Sequence, residues 1–158
     1  MVLEEYWNYR SELLDQSKDD EGFIQENLIL SQVLPSMLDA KLIDSEDFTN
    51  SYFKSSADKL KINAYSVNES GERLQLFMID ENSINLSATS DELMVSKKSV
   101  YESQLKRCVN FHNKAIKGLL NDEIQDSSPV RPLVSNISSV EGAQQFDVVE
   151  IFLITLSP

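Results

Sequence analysis

Carboxylates are the side chains this sequence offers in excess, 26 Asp and Glu against 14 Lys and Arg. Grouped at strand ends, carboxylates hold Mg2+, and the ion activates water for phosphodiester cleavage. The segment that could present such groups is 60–80. Apolar and polar residues alternate there from Leu60 through Asn63, and the run closes on Asp80 after an apolar stretch.

A metal-dependent nuclease of the restriction-endonuclease type places an aspartate on the first strand of a hairpin. On the second strand it places an acidic residue, one spacer and a lysine. Asn63 best matches the first position, and Gln75-Leu76-Phe77 falls at the second. Asparagine and glutamine lack the charge that holds a divalent ion, and phenylalanine cannot orient a hydroxide. Glu26 and Asp80 are the remaining acids expected near this hairpin, with Lys61 as a migrated lysine. Solvated or capping roles compete for both acids.

Other chemistries are poorly served. Cys108 and His112 stand four residues apart on an expected helix, a ligand-like spacing, but zinc sites need further Cys or His ligands, and His112 and Cys108 are the only ones present. A Cys–His nucleophile pair would also need an orienting group and an oxyanion site, which neighbours on one regular helix rarely provide. The four glycines, Gly22, Gly71, Gly118 and Gly142, are scattered, so no phosphate-cradling loop of the dinucleotide or P-loop type exists. No metal and no cofactor is therefore expected, except Mg2+ if a displaced nuclease site operates.

The net charge of −12 repels phosphate backbones and disfavours autonomous nucleic-acid binding. The counterweight is two local concentrations of basic residues. One is Lys54, Lys59 and Lys61; the other is Lys97, Lys98, Lys106, Arg107, Lys114 and Lys117. Nothing approaches the run of about 20 apolar residues needed to span a bilayer, and the first ten residues carry Glu4 and Glu5 where a signal peptide would be basic. A single cysteine excludes an internal disulfide and fits a reducing cytoplasm.

The elements that must position these residues follow from hydrophobic periodicity. Helices are expected over 3–14 and 23–38, with a kink or break at Pro35. Residues 44–47 read as a helix start or turn, and 51–54 as a short strand. A hairpin joins 60–65 to 73–80 through Asn68-Glu69-Ser70-Gly71, where Gly71 is free to take positive φ. Its second strand, apolar throughout its later half, is expected to be central in a sheet. After a loop over 81–89 come a long helix over 99–120 and a short one from Ser127-Ser128-Pro129 to about Val140. A final strand over 146–156 is too apolar for an edge open to water on both sides. The two helices before it allow a crossover that sets it parallel to a hairpin strand. The whole reads as one α+β domain over 1–158.

Several segments together resemble the N-terminal domain of the abortive-infection phage-resistance family. They are Tyr9-Arg10-Ser11-Glu12-Leu13-Leu14, then Glu21-Gly22-Phe23-Ile24-Gln25-Glu26-Asn27, the hairpin Lys61-Ile62-Asn63-Ala64-Tyr65 … Leu74-Gln75-Leu76-Phe77-Met78-Ile79-Asp80, the later helix Phe111 to Leu119, and the Ser127-Ser128-Pro129 junction. The resemblance implies a bacterial phage-defence protein. It implies a restriction-endonuclease-like core: N-terminal helices, a central β-hairpin in a mixed sheet, two crossover helices and a final strand. It also implies a longer parent chain as the first partner. The departures are Asn63-Ala64 where the family has Asp-Gly, and no lysine at the nuclease spacing. The expected role is thus a non-catalytic accessory or recognition domain. The alternatives are an active nuclease with a displaced site at Glu26, Asp80 and Lys61, or a docking and self-association module using Tyr6, Trp7 and Tyr9.

Overall fold

The computed structural model describes residues 2–85, 89, 95 and 97–158. The described chain runs α1 (Leu3–Gln16), α2 (Glu26–Asp39), β1 (Thr49–Ser55), β2 (Leu60–Val67), β3 (Arg73–Ile79), a 3-10 turn at Glu81–Ser83, α3 (Lys98–Ile116), α4 (Arg131–Ser138), α5 (Val140–Gln145) and β4 (Val148–Ile154). The strands form one mixed sheet in the order β1-β2-β3-β4. β1, β2 and β3 are successively antiparallel, and β4 returns parallel to β3 through the helices between them.

Helices cover both faces of the sheet. On one face Leu60, Ile62, Leu74, Leu76 and Met78 pack against Cys108, Phe111 and Ala115 of α3 and Leu133, Val134 and Ile137 of α4. On the other, Ala64, Phe77, Ile79 and Ile154 meet Leu13 and Leu14 of α1 and Ile29, Leu30, Leu34 and Met37 of α2. β3 alternates between the two cores, which is why its apolar run is nearly continuous.

Local chemistry sets the element ends. The Glu5 carboxylate reaches back to the Val2 N–H, satisfying one of the orphan donors at the start of α1. Asp19 Oδ1 accepts from the N–H groups of Glu21 and Phe23 and closes the link to α2. Gly71 turns the β2–β3 hairpin at φ 75°. α5 follows α4 so closely that a Cβ on Gly142 would lie 1.8 Å from the Asn136 carbonyl oxygen, and only glycine fits there.

The structure corrects several expectations. α2 begins at Glu26, and Phe23 lies exposed outside it. The helix continues through Pro35, so the expected alternative of a break does not occur; the hydrogen bond that the proline cannot donate is the one to the Ser31 carbonyl. Of the two readings of residues 44–47, the turn holds and the helix start does not, and the Ser45 hydroxyl accepts from the Asp47 N–H. α3 stops at Ile116, ahead of Gly118 at φ 74°, leaving Ile116 and Leu119 exposed. Neither Ser127 nor Ser128 caps α4, which starts at Arg131 behind Val130; Pro132 does fall in its first turn. Three helices, not two, make the crossover.

The final strand stands at the sheet edge, and, as its apolar content requires, it is not open to water on both sides. Its apolar content reflects two covered faces rather than two strand neighbours. Val149, Ile151 and Leu153 pack on the α3 side, while Phe152 stacks on Phe77 at 5.6 Å on the α2 side. The expected loop over 81–89 opens as the 3-10 turn, and residues 86–88 of it lie outside the described residues.

Candidate functional site

The β2–β3 ladder pairs Ala64, Tyr65, Ser66 and Val67 with Phe77, Leu76, Gln75 and Leu74. One step further along, side chains of β2 take over. The Asn63 Oδ1 accepts from the Ile79 N–H at 2.8 Å, and the Lys61 ammonium donates to the Ile79 carbonyl at 2.8 Å. Both backbone groups of Ile79 are thus satisfied by β2 side chains, as buried backbone groups must be.

Lys61 is fully buried, with 0% of its surface exposed. Its ammonium has three oxygen partners: the Glu26 carboxylate at 2.6 Å, the Glu81 carboxylate at 2.7 Å and the Ile79 carbonyl. The Asn63 amide also donates to Glu26 Oε1, at 3.1 Å. Glu81 accepts two bonds from the Arg107 guanidinium of α3, at 2.7 and 2.9 Å, and a weaker approach from Lys54 at 3.2 Å. Gln104 accepts a further bond from Arg107. Burial pushes the Glu81 carboxyl up, but the hydrogen bonds from Arg107 and Lys61 outweigh it and hold the group far below the usual carboxylate range.

Of the residues named from sequence, Glu26, Asn63 and Lys61 come together here. Asp80 does not join them. Its carboxylate accepts from the Asn82 N–H at 3.1 Å as the cap of the 3-10 turn, and burial raises its pKa. Gln75 lies at the other end of the hairpin, buried, with one long bond of 3.4 Å to Glu150. Sequence reasoning passed over Glu81 and named Arg107 only as one of a group of basic residues. The signal available was Lys61 and Asn63 themselves. Two polar residues at i and i+2 inside a strand buried on both faces demand partners from neighbouring elements.

Cys108 is in the core, and burial pushes its thiol up to about 12, so it is a poor nucleophile. Burial also lowers the pKa of His112. No group of three or more His, Cys, Asp or Glu poised for a metal occurs among the described residues. No described helix is long and apolar enough to cross a membrane. At the N-terminus Tyr6 and Trp7 are half-buried and Tyr9 is exposed. Arg10 lies over the Trp7 ring and donates to the Ser83 carbonyl at 2.9 Å, tying α1 to the 3-10 turn.

The family model described as abortive infection phage resistance protein N-terminal domain matches residues 31–156. No curated protein and no solved structure matches. The matched segment holds Lys61, Asn63, Glu81 and Arg107, while Glu26 precedes it.

Proposed function

This chain belongs to the abortive infection phage resistance N-terminal domain family, and on that premise we propose that it is a non-catalytic, nuclease-like accessory or recognition domain of a phage-defence protein. The arrangement of a helix-flanked mixed sheet, with an antiparallel hairpin and a parallel returning strand, supports a restriction-endonuclease-like core.

The observation that carries the reading is the position of the Lys61 ammonium. Two carboxylates and a backbone carbonyl converge on one point, the kind of oxygen set that holds a hard divalent cation. That point is filled by the chain's own cation, at 2.6 to 2.8 Å from each oxygen. Mg2+ demands near-octahedral oxygens at about 2.0–2.1 Å and retains several waters. It would have to expel a buried ammonium whose other partner is the sheet backbone. Arg107 and Lys54 neutralise Glu81 further. Asn63, without a carboxylate, spends its side chain on Ile79 and Glu26.

Calorimetric titration with Mg2+ and Mn2+, beside a cleavage assay on single- and double-stranded DNA and RNA, tests this. The expected result is neither specific metal binding nor cleavage. Metal-dependent cleavage that Glu26→Gln or Glu81→Gln abolishes would sink the proposal. It would favour instead a displaced nuclease site, for which the direct Glu26–Lys61 contact speaks, with Glu81 rather than Asp80 as the second acid.

A further inference from the structure

We propose that the pocket between α3 and the β1–β2 turn is a phosphate site that takes the backbone of a nucleic acid. The cavity, about 410 Å3, is lined by Lys59, Ser103, Gln104, Lys106, Arg107 and Asn110. Three of these six side chains are cationic, two are amides, one is a hydroxyl, and none is acidic. In a chain of net charge −12 such a lining is a local inversion of sign.

Two basic concentrations that are separate in the sequence meet here. Lys59 comes from the turn after β1, and Lys106 and Arg107 come from α3. Lys59 and Lys106 are exposed and make no ion pair with any described residue, so their charges are available to a ligand. The turn's carboxylate, Asp58, is instead held towards Lys114, at 3.8 Å. Arg107 is shared: its guanidinium faces Glu81, and through Glu81 the pocket abuts the buried Lys61 centre. Ammonium groups with flanking hydroxyl and amide donors are the chemistry that fixes phosphate oxygens. Asn110 and Lys106 lie on successive turns of one helix face, so the donors run along a line rather than closing round a point. That form suits a chain of phosphates better than a single ion.

Lys59 also carries backbone strain. It sits at φ 54°, in the left-handed region where a side chain is disfavoured. Glycine would relieve the strain and remove the charge.

The proposal concerns binding alone and holds whether or not the Lys61 centre cleaves, so it is tested with divalent ions chelated by EDTA. Fluorescence anisotropy with labelled single-stranded DNA and RNA at about 20 mM salt should show saturable binding that weakens with a log–log salt slope of about −1.4, as the two unpaired cations Lys59 and Lys106 predict for a single strand. Lys59→Glu with Lys106→Glu should reduce affinity at least about tenfold, while Lys18→Glu with Lys41→Glu, the same charge change elsewhere, reduces it much less. Lys59→Gly should raise Tm by about 2–4 °C and weaken binding. The two charge-reversed pairs behaving alike, or no oligonucleotide binding at low salt, would overturn the site. Equal affinity for inorganic phosphate, a mononucleotide or a phosphopeptide of matched charge would overturn the nucleic-acid assignment.

Discussion

The two ends of β2 are held by different means. From Ala64 to Val67 the strand is joined to β3 by backbone hydrogen bonds that any non-proline residue can make. At Lys61 and Asn63 the joint to β3 is made by side chains, and these also collect Glu26 from α2 and, through Glu81, Arg107 from α3. The surfaces beyond differ in sign as well. The Lys61 end leads to the Lys59–Lys106–Arg107 pocket, whereas the Val67 end opens on a cavity lined in part by Asp44, Asp47 and Glu69. A ladder tolerates substitution; a joint built from side chains depends on their identity. The contrast predicts where the domain is vulnerable.

The largest effect is expected at Lys61. Lys61→Met keeps much of the aliphatic stem but leaves Glu26, Glu81 and the Ile79 carbonyl without their shared donor. Removing one partner of a buried pair costs about 3–5 kcal/mol; the lower end applies here because both carboxylates are about a quarter exposed and Arg107 still serves Glu81. Urea unfolding would measure it. A loss under about 1 kcal/mol would mean the ammonium is not a structural cation and would dissolve the contrast. Asn63→Ala comes next, since it strands the buried Ile79 N–H and removes a donor to Glu26. A loss of about 1–3 kcal/mol is expected.

Acid should act on the same end. Glu81 titrates far below its ordinary value in the folded protein, so its stabilising contribution is complete above the unfolded value of about 4.5 and is lost as pH falls below it. Wild type should therefore lose Tm more steeply below that pH than Glu81→Gln does; parallel curves would deny the Glu81 pairs their role. Asp80 carries the opposite sign. Burial raises its pKa, so its charge is a penalty present at neutral pH and gone once both states are protonated. Asp80→Asn keeps an oxygen for the Asn82 N–H. It should be neutral or slightly stabilising at pH 7, with the difference vanishing in acid.

The ladder end was the more legible in the sequence. Leu74, Leu76, Phe77 and Ile79 announce a strand with both faces covered, and Asn68-Glu69-Ser70-Gly71 announces its turn; both occur as read, with Gly71 at positive φ. The family followed from the hairpin together with segments elsewhere along the chain, such as Phe111 to Leu119 and Ser127-Ser128-Pro129. The side-chain joint was half legible. Glu26, Asn63 and Lys61 were marked because a nuclease pattern calls for acids and a lysine at this hairpin, not because of the partners they find. Glu81 and Arg107 were not, because a charged residue after a strand and another on a helix look like ordinary solvated positions until the fold sets them 2.7 Å apart. The apolar content of β4 rightly announced two covered faces, but it says nothing about how many strands stand alongside.

The smallest expected effect is at the ladder end itself and sharpens the comparison most. Gln75 is nearly as buried as Asn63, but among the described residues its only side-chain bond is the 3.4 Å contact to Glu150, which Arg73 already engages at 3.2 Å. Removing it strands no backbone group, because Gln75 is held between Ser66 and Glu150 by its own main chain. Gln75→Ala should therefore cost about 1 kcal/mol or less, well below Asn63→Ala, although the two deletions remove similar amides from one hairpin. Equal losses at the two positions would mean that burial alone sets the cost. A clear gap would show that the cost lies in the backbone partner each side chain serves.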